Sequence, residues 1–296
     1  MLLYNKVSNI KSLTSLTFFL YTFKIRFMTT LMQYYKKSLT AQAVNILSQF
    51  IKNTLEDIGE IAKNGVISAY YAIKTDFSLK DLINQCSRFA VDSLPITLSI
   101  VGMTSIIICM QTAGEMVKQG GGSYVGMLTA LIMIRELSAI MSGFAIISMI
   151  GSSFASEIAT MQVTEQIDAL KVLKVSPIKY LFTPKVLAGL IMMPIVVIIA
   201  SLVGILCSGI TAKVVADISW LNFINSVWHG LVIKDINVCM LKSATFGATI
   251  ALISCTCGYQ AYGGAKGVGL ATTKAVVLSF IAIVIWDYIF ALLFYF

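Results

Sequence analysis

The residues of this chain that could do chemistry fall into two groups. One is the charged run Glu157-Ile-Ala-Thr-Met-Gln-Val-Thr-Glu165-Gln166-Ile167-Asp168-Ala-Leu170-Lys-Val-Leu173-Lys-Val-Ser-Pro177, set between two long apolar stretches. The other is Arg135-Glu136, with Gln111 and Glu115, inside apolar stretches where charge is costly. By insertion scales a charge at mid-bilayer costs roughly 2.5–3.5 kcal/mol, so such groups face protein or a water-filled cavity. Neither group has the pattern of an enzyme centre. No GxxxxGK[ST] phosphate loop occurs; Gly120-Gly121-Gly122-Ser123 and Gly263-Gly264-Ala-Lys266-Gly267 both fail it. The six cysteines include no CxxC pair, and His229 is alone, so no metal ligand set is assigned. No catalytic residue is expected, and the chain should not hydrolyse ATP by itself.

The elements that position these groups follow from composition. The 296 residues are 57% hydrophobic and 12% charged, and mean hydropathy is +0.85. Soluble domains carry about 25% charged residues, so this is an integral membrane protein. A span needs about 20 apolar residues. Five runs qualify: Leu94–Met116, Met127–Ser148, Val186–Gly209, Ile236–Ala261 and Val276–Phe296. Helices satisfy their own backbone in lipid, and no run shows the ten-residue alternation of a barrel. The fold class is therefore an all-α integral membrane protein of about five transmembrane helices.

Residues 1–88 hold eleven Lys and Arg against five acids. The positive-inside rule puts this end, the N-terminus, in the cytoplasm. Five spans then place 157–185 and the turn carrying Lys266 and Lys274 inside, and the loop 212–234 outside. The basic bias points to topology and not to nucleic acid, for which no motif is present. Residues 1–39 read as a basic extension. Residues 40–90 carry helical periodicity (Val44, Leu47, Phe50, Ile51, Leu55, Ile58, Ile61) and read as an interfacial amphipathic helix region. Residues 91–296 form the transmembrane domain.

Within the inside segment, Thr164 is suited to cap a helix, with Lys171 and Lys174 near its end. Ile167, Leu170 and Leu173 recur at three-residue spacing, and Pro177 and Pro184 end the helix and reset the chain. A short amphipathic helix between spans suits docking into a partner's groove; a solvated loop is the alternative. For Arg135 and Glu136 the alternatives are a polar spot in a lipid cavity, or a structural ion pair with Glu115 or Lys242. Asp287 reads as a packing position. Ser148, Ser152 and Ser156, beside Gly151 and Ala155, and Ser201, Gly204, Ser208 and Gly209 form small-residue faces suited to close helix packing.

The run from Glu157 through Thr164-Glu165-Gln166-Ile-Asp168-Ala-Leu resembles the MlaE-type (MlaE/YrbE) ABC transporter permeases. So do Ser-Pro177, Pro184-Lys-Val-Leu-Ala-Gly189, Arg135-Glu136-Leu, Lys242-Ser, Gly258-Tyr259 and Gly267-x-Gly269. The likeness covers roughly 90–296. It implies a permease subunit of a lipid transporter in the cell inner membrane, with phospholipid as substrate. It implies a homodimer, a separate ABC ATPase, an MCE-domain lipid-binding protein and, in some systems, a STAS-domain protein. Glu165, Gln166, Ile167, Asp168 and Leu170 would contact the ATPase. Ile108, Gln111, Glu115, Met116, Arg135 and Glu136 would line a lipid cavity. One departure stands out: the family's Gly-Arg-x-Gly stretch reads Ser148-Met149-Ile150-Gly151, so no ion pair here can use that arginine. The reading from another class is a stand-alone channel or secondary transporter using Arg135, Glu136 and Glu115.

Overall fold

A computed structural model describes residues 52, 55–74 and 78–295. The chain divides into two units, Met1–Gly59 and Glu60–Phe296. In the first, the described residues are helical, with Leu55 and Ile58 exposed. Val44, Leu47, Phe50 and Ile51, which carry the rest of the expected amphipathic stripe, lie outside the described residues, as does the basic extension 1–39.

Among the described residues the second unit contains five helices long and apolar enough to cross a membrane. They are α1 (Leu79–Lys118), α2 (Gly122–Val163), α4 (Ile178–Ala216), α6 (Ile233–Tyr259) and α7 (Gly264–Tyr295). Two short helices join them: α3 (Gln166–Val172) between α2 and α4, and α5 (Trp220–Gly230) between α4 and α6. The side carrying α3 is called the near side and that carrying α5 the far side.

α1 begins at Leu79, fifteen residues before the apolar run at Leu94. The division expected at residue 90 therefore falls inside one continuous helix. Ser78 starts it by accepting the Asp81 N–H. Pro95 lies within it, and Ser93, Thr97 and Ser99 donate to backbone carbonyls on the same helix. α1 ends in a Schellman turn. Gly120, at φ +76°, donates its N–H to Val117 O, and Gly121 donates to Met116 O at 2.8 Å. The glycine run supplies the left-handed residue that reverses the chain.

α1 packs along α4, α4 along α6, and α6 along α7. α2 crosses this array. Its start meets α5, its middle meets α1, and its end is wedged between α6 and α7. The main core lies where these meet: Phe89, Ile146, Ile150, Phe154, Met193, Val197, Phe246 and Ile250 are fully or almost fully buried. The small face Ser201, Gly204, Ser208 forms the α1–α4 contact, where Ser105 donates to Gly204 O and Cys109 to Ser208 O. α4 and α6 touch at Gly189 and Gly247, where a methyl group on either would overlap the other's carbonyl oxygen.

The second small stripe behaves differently from the expectation. Gly151 and Ala155 are buried, but Ser148 is exposed and Ser152 and Ser156 half-buried. Ser148 and Ser152 satisfy their hydroxyls on carbonyls four residues back. The far-side segment 212–234 also differs, because it contains helix α5 where a loop was expected. Trp220 of α5 stacks on Phe223, and Trp228 is 77% exposed. An exposed Trp at this level fits an aromatic belt.

Candidate functional site

The near-side segment is a defined structure and not a solvated loop. α2 runs to Val163, and Thr164 spends its hydroxyl on Thr160 O, so it does not cap α3. Glu165 takes the capping place with a left-handed φ of 59°. α3 closes with a Schellman turn: Val175 donates to Leu170 O and Lys174 to Lys171 O, both at 3.0 Å, with Lys174 at φ 58°. Two left-handed residues that are not glycine thus bracket a seven-residue helix.

Ile167 is fully buried among Ile158, Leu181, Phe182 and Cys255, and Leu170 packs beside it. This corrects the expectation that Ile167 and Leu170 reach outward as apolar anchors. They anchor α3 to this chain's own near side. The expected stripe splits, because Leu173 is 71% exposed, next to Val172 at 83%. Phe182 meets Tyr259 edge-on, and Lys171 sits over the Tyr259 ring and donates to Asp168 at 2.8 Å. That hydrogen bond holds the Lys171 ammonium above its ordinary pKa of 10.5. A lysine so shifted loses its contribution only as pH rises through the raised value, so the contact is intact at neutral pH. Glu165, Gln166 and Asp168 are exposed. Pro177 precedes a widened π-helical turn, Ile178–Phe182, and Pro184 occupies the start of the straight helix that follows.

Two charge clusters lie in the spans. On the near side, Glu157 of α2 accepts from Arg88 of α1 at 2.7 Å and from Lys185 of α4 at 2.8 Å. Arg88 also donates to Ser153, and Lys185 lies 4.4 Å from the Phe154 ring centre. With Met149 in the position of the family's arginine, the cations that hold Glu157 come from two other helices. Sequence reasoning passed over both. The available signal was Lys185, a lone cation opening an apolar run directly after Pro184. A cavity of about 260 Å³ lies beside Glu157 and Lys185, lined also by Asp81, Asn84, Met161 and Tyr180.

On the far side, Arg135 makes a two-pronged pair with Asp235 at 2.9 and 3.1 Å, and stacks on Tyr295. Lys242, fully buried, pairs with Glu136 at 2.8 Å and with Asp287. It also donates to Arg135 O at 3.1 Å. Arg135 and Glu136 sit in a second π-helical turn, Met133–Leu137, a distortion often found at functional sites. The structure thus pairs Glu136 with Lys242 and gives Asp287 an ionic role beyond packing. Arg135 takes Asp235 as its partner. Glu115 pairs instead with Lys118 at the exposed end of α1. Gln111 is exposed, Ile108 and Met116 half-buried, and Met116 packs with the α5 cluster. Among the described residues no hydrogen bond or ion pair joins Gln111 or Glu115 to Arg135 or Glu136. The six expected cavity residues therefore divide between α1 and the α2–α6–α7 cluster. Among the described residues no group of three His, Cys, Asp or Glu could hold a metal ion.

Glu136 and Glu157 are 21 residues apart on α2, about 32 Å at 1.5 Å per residue. That is close to the roughly 30 Å thickness of a hydrocarbon core, so the two clusters form separate sites.

Comparison with known proteins gives a consistent result. The family model described as Permease MlaE matches residues 82–293. A probable ABC transporter permease protein of Synechocystis is 36% identical over 209 residues, covering 71% of this chain and 80% of the relative. One from Rickettsia felis is 32% identical over 255 residues, covering 85% and 98%. The chloroplastic protein Trigalactosyldiacylglycerol 1 of Arabidopsis thaliana is 35% identical over 223 residues, covering 75% and 64%.

Proposed function

The chain belongs to the MlaE permease family, and from that premise we propose that it is the membrane subunit of a transporter that moves phospholipid or a related lipid between membranes, driven by a separate ATPase. It is a multi-pass membrane protein. The observation that carries the reading is α3. A helix of seven residues is too short to be stable alone, yet this one is fixed by Ile167, Leu170 and the Lys171–Tyr259 contact. Its remaining surface, with Glu165, Gln166, Asp168, Val172 and Leu173, is turned outward. A rigid projection tied to α2, α4 and α6 is suited to carry motion of a docked ATPase into the spans. The name of the plant relative, that of a galactolipid, favours a lipid as cargo.

In this reading the subunit works as a homodimer in the inner membrane with its N-terminus in the cytoplasm. An MCE-domain protein receives or delivers lipid on the far side, and a STAS-domain protein joins the ATPase in some assemblies. No bond in the lipid is made or broken. Nucleotide in the ATPase biases two states of the dimer, and ATP and Mg²⁺ are bound there.

The test is affinity purification of the tagged chain from native membranes, wild type against Glu165→Lys/Asp168→Lys, followed by mass spectrometry. Both residues are exposed, so the variant should fold. An ATPase and an MCE-type protein should accompany the wild type, and the ATPase alone should be lost from the variant. A stable wild-type dimer recovered without any ATPase would overturn the reading.

A further inference from the structure

Lys185, at the start of α4, is almost fully buried, yet it borders the near-side cavity of about 260 Å³ together with Asp81, Asn84 and Gln85 of α1. Its ammonium donates to Glu157 Oε1 at 2.8 Å, while Glu157 Oε2 accepts from Arg88 at 2.7 Å. Two cations thus share one carboxylate. A second carboxylate, Asp81, lines the same cavity, and among the described residues its side chain makes no hydrogen bond or ion pair. Gln85 lies four residues on from Asp81 and shares its face of α1. The Gln85 Oε1 is buried and, among the described residues, receives no hydrogen bond. A buried acceptor without a donor is rare in a folded protein and calls for a physical reason.

Glu157 and Lys185 are 28 residues apart, and their contact closes the loop that carries α3. Ile167 of α3 is seated against Ile158 on the α2 side of that closure and against Leu181 and Phe182 on the α4 side. The seat therefore holds only while the ends of α2 and α4 stay together. Breaking a buried pair ordinarily strands a charge. Here it need not. When Lys185 turns across the cavity to Asp81, Glu157 keeps Arg88, which Ser153 also holds. Asp81 then gains a cation, and Gln85 Oε1 comes within the reach of the same ammonium. The flexible four-carbon stem and point charge of lysine suit such a swing, where a guanidinium would need a matched fork. No buried charge is stranded in either arrangement, which makes the cluster bistable, as a two-state change requires. We propose that Lys185 is a positioning residue that exchanges Glu157 of α2 for Asp81 of α1, closing the seat of α3 in one state and opening it in the other.

That an ATPase drives the exchange rests on the coupling reading of α3; the exchange itself is a property of this chain alone. The experiment is hydrogen exchange of the purified full chain in detergent, followed on peptides covering residues 164–175. Asp81→Asn removes the second partner and should slow exchange there by about fivefold, the lower end of coupling between linked sites. Glu157→Gln weakens the first partner and should speed it by a similar factor. Asp81→Glu keeps the carboxylate and should exchange like the wild type. A purely structural Glu157–Lys185 pair would respond to Glu157→Gln and not to Asp81→Asn. Asp81 also lies in the first turn of α1, where an acid favours the helix. Loss of that effect loosens the near side and so cannot imitate the expected slowing. Unchanged or faster exchange in Asp81→Asn would overturn the proposal. So would equal slowing in Asp81→Glu, which would trace the effect to the side chain's fit and not to its charge. A wild-type chain that purifies without any ATPase would overturn the coupling reading and leave the outcome of this experiment standing.

Discussion

Single residues here differ in consequence according to how completely they leave water. Lys242 is fully buried and stands between Glu136 and Asp287. Its removal leaves two carboxylates facing each other without a cation, a change that costs about 3–5 kcal/mol for a buried pair. Lys242→Met should therefore lower the free energy of unfolding in micelles by that amount. Glu115→Gln breaks an equally short pair with Lys118, but one exposed on both sides, and should change stability by less than about 1 kcal/mol. Equal effects of the two substitutions would show that the far-side cluster is solvated and not structural. Arg135 and Glu136 are only half-buried, but each already has a partner, which makes them poor candidates for a free ion path. The sequence offered Glu115 or Lys242 as a partner for this pair, and the structure selects Lys242 for Glu136; Asp235, a hundred residues from Arg135, left no local signal.

At the scale of elements, two helices end in the same turn with different residues. Gly120 occupies the left-handed position after α1 and Lys174 the equivalent one after α3. A left-handed residue with a side chain costs about 1–2 kcal/mol, offset in part by the freedom glycine loses on folding. Lys174→Gly should stabilise the closing turn of α3 by up to about 1 kcal/mol, and Gly120→Ala should weaken that of α1 by about as much. Hydrogen exchange at the amides of Val175 and Gly121 would read the two changes separately. Slower exchange at Val175 without change elsewhere is the expected result; faster exchange would mean that the Lys174 side chain itself holds the turn. The existence of α3 was legible in its charges and prolines. Its orientation was not, because Ile167, Leu170 and Leu173 look alike in sequence. Only packing against Phe182 and Cys255 from two other helices decides which of them turns inward.

For the whole molecule, the lysine-rich near side sets the expected orientation in the bilayer. A single cysteine placed at Val172, 83% exposed beside α3, should label with a membrane-impermeant maleimide only from the cytoplasm. One at Trp228, 77% exposed on α5, should label only from the opposite side. The native Cys109, Cys239, Cys255 and Cys257 are buried and should stay silent, while the half-buried Cys86 and Cys207 are replaced by serine in the parent. Labelling of both sites from one side would overturn the topology on which the orientation of α3 rests.

The sequence by itself determined the class of the protein and the number of its spans. A stretch of about twenty apolar residues leaves the backbone few options other than a helix across lipid. It also determined the family, through a charged motif that a spanning helix does not require, and the place of the near-side helix. The tertiary structure alone decided the partners. It decided that Glu157 is held by Arg88 and Lys185 where the family's arginine is absent. It decided that Arg135 and Glu136 belong with α6 and α7 rather than with Glu115 of α1, and that the 212–234 segment folds as α5. The physical reason is common to the first two. Hydropathy and periodicity act over one helix and can be read along the chain. Ion pairing in lipid acts over a few ångströms between helices, and which groups come that close is set by how the spans cross.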